Sequence, residues 1–600
     1  MNIIIFDFEV FKYDTLLGCL IIDSANKIKL YQSWNTVDIN RFYEKHKYDM
    51  WVGWNNDGYD NHILDAIVHN ENPYYVSKDI IKNHRSKDLR IYLANYDIMK
   101  QRKGGFLSLK LTELIAGENI HTTDVDFNID RPLNEEEKKL TEGYNKDDLF
   151  RTYKNFNLFK SDFELRVDLA QEFNLDLLSI LNITGTMLGG KVLGVKKDWS
   201  LPNIPIKPKW YDTLQINNPT VKEWYMTEQY KKKCSLKLHL CGIDISIKSG
   251  GAHAGKNNYH VDKFLYFDVS GFYNLIQIKY NLFSRAIPEE GKKKYEKMYF
   301  DQLKMKKTNP IKRIGYKTVL LACWGGAGQE YSDFYDPHMA ELIPITGEIF
   351  LIDLLEKLDT YVQAINVNTD GFAVVPLNWN DYDKIINIVT EWESRTGFTI
   401  KKEIKYNLWQ RDVNTYICTD ENGVLEYHGD DFKNINYDDE AFSKEAIFNN
   451  REASIIAKGI ANFLLNGIMP EETVEKNKRD LRLFQYVGKP ATYDYLTLDT
   501  TTYEKNANNK LIEINTVEDR VPSLVRLFAK PIIYKDNTIE ISTIRKHKAN
   551  KADKIASLPD SIFIYNESII DDNNIDLLIN INIISNYKFI MCFYLLIISN

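Results

Sequence analysis

Residues 362–376 read VQAINVNTDGFAVVP, two apolar β-rich runs around Asn368, Thr369, Asp370 and Gly371. An Asp-Gly step between apolar runs is a strong hairpin signal and places Asp370 at the hairpin tip. Earlier in the chain, residues 263–276, KFLYFDVSGFYNLI, form an apolar strand that ends at Asp268 and runs into a turn carrying Tyr273. A hairpin tipped by one acid is free to approach a strand that ends in another. Two carboxylates projected from neighbouring strands of one sheet can share two Mg²⁺, which activate a hydroxyl and bind a triphosphate. Between the two acids, residues 316–337, YKTVLLACWGGAGQEYSDFYDP, read as a helix with Lys317 at its start and Gly325, Gly326 and Gly328 at its end. Lys317 is placed to meet triphosphate oxygens as a point charge, and the glycines allow a base pair to come close.

A second acidic constellation opens the chain. Residues 3–10, IIIFDFEV, set Asp7 and Glu9 two apart on a strand, so both side chains leave the same face. Two carboxylates on one face repel unless a cation lies between them. Such a pair also arises by chance in a chain with 84 acids, but two further segments add to it. WVGWNNDGYDNHIL (51–64) supplies Asn56 and Asp60, and GYNKDDLFRTY (143–153) supplies Tyr144 and Asp148. Four residues apart on a helix means one face. A phenol above a metal-bound water can orient it while carboxylates hold two ions, the arrangement for phosphodiester hydrolysis.

The rest of the chain frames these segments. Its 600 residues give a soft prior of about four domains, and a 44 % hydrophobic content with 37 Tyr and 29 Phe argues against disorder. A net charge of −8 excludes a simple cationic coat for nucleic acid. Positive charge is instead focused on residues 292–317, read as one helical stretch with ten Lys or Arg against Glu296 and Asp301, a pattern suited to phosphates. Six cysteines without a Cys-x-x-Cys pair indicate neither a disulfide framework nor a zinc ribbon, and point to a reducing compartment.

The opening MNIIIFDFEV lacks a basic flank and is interrupted by Asp7 and Glu9, so it reads as a buried strand rather than a signal peptide. The apolar run 589–598 is short of the roughly 18–20 residues that span a bilayer. A soluble, cytoplasmic protein with no membrane partner is expected.

Residues 1–30 and 51–68 follow an α/β pattern. Residues 133–159 predict a long helix, with Asn134 as N-cap, Glu135, Glu136 and Glu137 in the first turn and Gly143 within it. The Pro-rich 201–210 marks a connector. A second α/β region is expected from about Lys263, and residues from 441 onward read as helical, then charged and irregular.

The order Asp-x-Glu, Asn-x-x-Tyr-Asp, Tyr-x-x-x-Asp resembles the three exonuclease motifs of the RNase H-like 3'-5' proofreading domain of DNA polymerases. The linking text at 108–144 is similar to that domain in family B-like phage polymerases. Residues 263–276, 316–337 and 362–376 resemble, in order, motifs A, B and C of family B DNA polymerases. The resemblance implies that Asp268 and Asp370, with Val269 beside them, bind the polymerase metals, and that Asp7, Glu9, Asp60 and Asp148 bind the exonuclease metals, with Tyr144 catalytic. Each site would take two Mg²⁺, with Mn²⁺ as an alternative.

By the same resemblance Tyr273 is the steric gate against a ribose 2'-hydroxyl, and Lys317, Lys306 and Gly325 contact the nucleotide. SGGAHAG (249–255) looks like the Gly250–Gly251 segment that links the two modules near the template. LWQRDVNTYI (408–417), with Arg411 and Tyr416, and EYHGDDF (426–432), with Gly429, resemble palm segments that hold the primer. Asn56 would contact DNA. Residues 547–569 are similar to the thumb of phage enzymes.

The implied architecture is α/β and multi-domain: an RNase H-like exonuclease domain followed by a right-hand polymerase module. Its parts would be an exonuclease domain (1–160), a connector and palm start (161–260), palm with motif A (261–285), fingers with motif B (286–330), palm with motif C (331–440) and thumb (441–600). Partners would be primer-template DNA, deoxynucleoside triphosphates, and a processivity factor or single-stranded DNA-binding protein. Only 49 positions separate Asp268 from Lys317, which leaves no room for the insertion of protein-primed relatives, so no terminal-protein partner is expected.

The chain departs from the pattern at several positions. Gly271, Phe272 and Asn274 replace Ser, Leu and Pro of motif A; Leu321 and Trp324 replace the Asn and Tyr of motif B; Asn368 replaces the first acid of motif C. Gln302 stands where relatives often carry Arg, leaving Lys304, Lys306 and Lys307 as substitutes. The last thirty residues lack the thumb pattern and read as out-of-frame translation or a tail that packs elsewhere. The rival readings are a degraded polymerase acting only as a 3'-5' exonuclease or DNA-binding factor, and an unrelated RNase H-like nuclease. No Tyr-x-Asp-Asp hairpin favours a reverse transcriptase, and Asn-Thr-Asp in place of His-Asp-Glu disfavours a family A enzyme.

Overall fold

Five strands and the helices that cover them account for most of the first part of the chain. The computed structural model describes residues 2–84, 88–101, 109, 110, 112, 128–198, 214–226, 235–248, 250–305, 308–429, 432, 453–488, 494–508, 510–522, 524–530, 532, 534, 535, 537–548, 551–554, 558 and 561–566. Lys306, the Pro-rich 201–210 and the terminal thirty residues lie outside them. Contacts divide the chain into two compact units: Met1–Leu114, Asn119–Val192 and Phe300–Val319, and Ile115–Glu118, Leu193–Tyr299 and Leu320–Asn600.

In the first unit, β1 (Ile3–Val10), β2 (Thr15–Ile22), β3 (Ile28–Ser33), β4 (Met50–Gly53) and β5 (Ala94–Asp97) form a sheet of order β3-β2-β1-β4-β5. β1 runs antiparallel to β2 and parallel to β4. Both faces are covered. Ile4, Phe6 and Phe8 pack with α1 (Thr36–His46) and α2 (Asp60–Val68), while Ile5 joins Leu149 and Phe156 of α4 (Glu135–Leu158) on the opposite face. α3 (Pro73–Asn83) follows α2. Period-2 alternation along β1 therefore places Asp7 and Glu9 with Ile5, toward α4. The α4 start is as its sequence predicts: Asn134 Oδ1 accepts Glu137 N–H at 2.9 Å and Glu137 Oε2 accepts Asn134 N–H at 2.8 Å, a capping box.

The second unit carries a nine-stranded sheet of order β14-β13-β12-β9-β11-β10-β8-β7-β6. These strands are β6 (Leu236–Leu240), β7 (Ile243–Lys248), β8 (Gly251–Gly255), β9 (Tyr259–Val269), β10 (Val362–Asn368), β11 (Gly371–Pro376), β12 (Ile400–Asp412), β13 (Thr415–Thr419) and β14 (Leu425–His428). The sheet begins before Lys263: the β6–β7 hairpin turns through Cys241 (φ 53°) and Gly242 (φ 70°), both left-handed, a pairing that only poorly advertises a tight turn in sequence.

α5 (Phe272–Tyr280), α8 (Pro337–Leu358) and α9 (Tyr382–Thr396) build the main core with the odd-numbered side chains of β9, Leu265, Phe267 and Val269. Phe264 belongs to a smaller cluster with Tyr266 at its edge, so Asp268 projects from the face opposite those helices.

Three expectations are corrected. The basic stretch is two helices, α6 (Glu289–Lys304) and α7 (Pro310–Ala327), because Pro310 starts a new helix and Asn309 Oδ1 accepts Lys312 N–H at 3.1 Å. Lys317 is consequently exposed in the middle of α7 rather than at its start. Beyond two helices at Ser454–Asn466 and Pro470–Asn477 the described residues are largely strands. Tyr495–Lys505 pairs with both Leu511–Val521 and Thr538–Lys548, and Tyr486–Gly488, Val525–Ala529 and Ile562–Ile564 make a second small sheet. These threonine-rich, charged strands show little polar-apolar contrast, although β-branched residues favour them. Among the described residues no helix is long and apolar enough to cross a membrane.

Candidate active sites

In the first unit, Asp7, Glu9 and Asp148 bring carboxylate oxygens within 4.8 Å of one another. β1 supplies two of them and α4 the third. The helix also supplies Asn145, whose Nδ2 donates to Asp7 Oδ2 at 3.0 Å, and Tyr144, whose hydroxyl hydrogen-bonds Asp148. Tyr144 and Asp148 are one turn apart on the face that meets β1. Asp60 opens α2 and its Oδ1 accepts Phe8 N–H at 3.1 Å, so it adjoins β1 beside the trio.

The electrostatics are those of crowded, buried acids. Burial, then repulsion from Glu9, Asp60 and Asp148, pushes the Asp7 carboxyl well above its ordinary range. Glu9 is raised to about 8 by burial and Asp148, and Asp60 to about 7 by burial. Burial also raises Asp148. Such groups ionise together only when positive charge joins them, and an all-oxygen donor set of this spacing suits a hard divalent cation.

The loop before α2 is fixed by Asp97, which accepts Asn55 N–H at 3.0 Å. Asn56 is fully buried, its Nδ2 donating to Asn95 Oδ1, and its Oδ1 has no partner among the described residues.

In the second unit, β9 and β11 are antiparallel neighbours with Gly371 opposite Asp268, and Val269 N–H donates to the Asp370 carbonyl at 2.8 Å. Asp268 and Asp370 are thereby side by side. Partial burial raises both carboxyls, Asp268 adding to the rise at Asp370, while Lys401, opposite Asp268 on β12, lowers Asp268.

The tip of the hairpin is Thr369-Asp370. Gly371 is the first paired residue of β11, with Asn368 opposite. Its lack of a side chain serves close packing: a Cβ there would lie 2.9 Å from the Phe267 carbonyl oxygen. Thr369 takes φ +39°, a left-handed conformation that costs a non-glycine residue on the order of 1–3 kcal/mol.

Tyr273 stands on α5 rather than in a turn. Its ring lies 4.9 Å from that of Trp324, and its buried hydroxyl has no partner among the described residues. Gly325 is exposed in the last turn of α7, where an added Cβ would meet nothing within 4 Å. Lys317 groups with the first unit. Gly250 is exposed and Gly251 opens β8 beside the hairpin, a Cβ on it reaching to 3.0 Å of Thr369 Oγ1. Arg411 bonds Asp412 Oδ2 and Thr415 Oγ1, both at 2.9 Å. Tyr416 is raised to about 12 by burial. Gly429 follows β14 with φ +97°.

Sequence reasoning missed Asn145, Lys110 and Lys405. Asn145 lies between two recognised positions, and a buried amide on the inner face of a helix was the available signal. Lys110 Nζ stands 5.9 Å from the Tyr144 ring centroid and lowers Asp148. Lys405 lies 4.1 Å from the Tyr266 ring centroid.

No family model and no curated protein matches the chain. Solved structures similar to it include the family B DNA polymerase from the hyperthermophilic archaeon Pyrobaculum calidifontis, at 13 % identity and a TM-score of 0.37, over 98 % of this chain and 77 % of that one.

Proposed function

We propose that this chain is a template-directed DNA polymerase of family B type with a 3'-5' proofreading exonuclease, serving phage or mobile-element replication. The observation that carries the reading is the β9–β11 register, which sets Asp268 beside Asp370 at the end of the hairpin. The trio Asp7, Glu9 and Asp148 in the other unit supports a separate hydrolytic site, and the strand order of its sheet fits an RNase H-like domain.

Both donor sets are hard oxygens and fit Mg²⁺. The ions would supply activation of a primer hydroxyl and charge neutralisation at one site and activation of water at the other. The chain's own groups do the rest. Asn145 orients Asp7, Tyr144 orients the attacking water beside Asp148, and Tyr273 closes the nucleotide site toward the sugar. A second reading, an exonuclease or DNA-binding factor that no longer synthesises, is favoured by Leu321, which is 65 % exposed where the family pattern has a polar Asn.

The test is a gel assay with a 5'-labelled primer on a longer template, Mg²⁺, and the four deoxynucleotides present or omitted. Lengthening with nucleotides and shortening without them is expected. Asp370→Ala should abolish lengthening and keep shortening, and Asp7→Ala the reverse. Loss of both activities from either change refutes the two-site reading, and shortening in every lane moves the second reading ahead.

A further inference from the structure

At the tip of the β10–β11 hairpin a small polar cluster connects β8 to the turn. His253 lies directly opposite Asn368 in the antiparallel register of β8 and β10, which makes the two side chains neighbours. Thr369 Oγ1 donates to Asn368 Oδ1 at 3.2 Å, and Thr369 N–H donates to the Ala252 carbonyl at 3.2 Å. His253 thus adjoins, across that pairing, Asn368 and Thr369, the two residues before Asp370. A Cβ on Gly251 would lie 3.0 Å from both His253 Nε2 and Thr369 Oγ1, so no side chain fits between imidazole and hydroxyl.

Thr369 is the strained member, a β-branched residue at φ +39°. Such a conformation persists only where the surroundings over-determine it. The amide at 368 is suited to the task. It accepts from Thr369 and faces the His253 imidazole, whereas a carboxylate there would add a third negative charge beside Asp268 and Asp370.

We propose that His253 is a positioning residue of the nucleotidyl-transfer site, holding through Asn368 the Thr369 turn that aims Asp370 at Asp268. This rests on the reading of that site as a polymerase centre.

A double-mutant cycle on the full chain tests it. His253→Ala, Asn368→Ala and the double variant are compared for extension kcat and nucleotide KM, with shortening of a single-stranded primer on the same preparations as a control of folding. Each single change should lower kcat by about tenfold or more and move KM less than about threefold. The double variant should be within about twofold of the slower single, shortening should be unchanged, and His253→Asn or His253→Gln should regain part of the loss. Losses that multiply in the double variant, or a parallel fall in shortening, overturn the proposal.

If the unaltered protein extends no primer, the polymerase reading fails and the positioning role is read by metal binding instead. In an Asp7→Ala background, His253→Ala must then weaken Mn²⁺ binding, followed by electron paramagnetic resonance, as Asp370→Ala does. Unchanged binding overturns it.

Discussion

Replacing Gly371 by alanine is a perturbation whose size can be worked from the structure. The added Cβ would sit 2.9 Å from the Phe267 carbonyl oxygen, 3.5 Å from the Tyr266 hydroxyl and 3.6 Å from the Asp268 Cα. The nearest of these is backbone within a central strand and cannot rotate away. To restore ordinary contact, β9 and β11 must part by about 0.5 Å at the level where Asp268 and Asp370 stand side by side. A misplacement of about 1 Å near reacting groups costs on the order of a hundredfold, so this one should cost roughly tenfold in kcat. The overpacking itself should destabilise the second unit by about 1–3 kcal/mol. The assay is single-turnover extension by one nucleotide, with shortening of a single-stranded primer and thermal melting measured on the same preparation. Extension should fall roughly tenfold while shortening stays within about twofold of the original. Extension at the original rate would refute the argument that the close approach of β9 and β11 sets the carboxylate geometry.

Two further outcomes are expected of the first unit. Gly18→Ala would drive a Cβ to 1.7 Å from Asn145 Oδ1 and push that amide off Asp7. Shortening should fall on the order of tenfold with extension spared, and equal shortening by the variant would remove Asn145 from the site. The acids also predict a pH effect on stability. Glu9 and Asp60 are raised to about 8 and about 7 in the folded chain, against roughly 4 when unfolded. Folded acids raised in this way keep their protons longer than unfolded ones, so stability is full below about pH 4 and is lost as pH climbs toward about 8. In chelator, the melting temperature should fall between about pH 6 and pH 8, each carboxyl costing up to about 1.4 kcal/mol per pH unit within its window. Added Mg²⁺ should raise the melting temperature more at pH 8 than at pH 6, and an equal rise at both would argue against a cation among these acids.

The period-2 alternation of β1 and the 3.6-residue period of α4 made the shared faces of Asp7 with Glu9, and of Tyr144 with Asp148, legible in the sequence. The hairpin around Asp370 was legible too, though its tip is Thr369-Asp370 and Gly371 lies within the strand. The C-terminal sheets were not, because Thr-rich strands such as YLTLDTTTYEK carry weak polar-apolar contrast. Nor was the two-helix form of the basic segment, since Pro310 reads equally as a break or as a first-turn residue.

Local pattern, by itself, determined which acids stand on strands, which on helices, and which share a face, because those periods are properties of the backbone alone. Only the tertiary structure decided that the faces meet. Asp268 and Asp370 adjoin because β11 returns against β9 after the four helices α5 to α8, Asn145 grips Asp7 because α4 crosses β1, and His253 faces Asn368 because β8 pairs with β10. These are contacts between segments far apart in sequence. Burial of the apolar side chains that line the intervening elements selects them, and no spacing within a single segment encodes them.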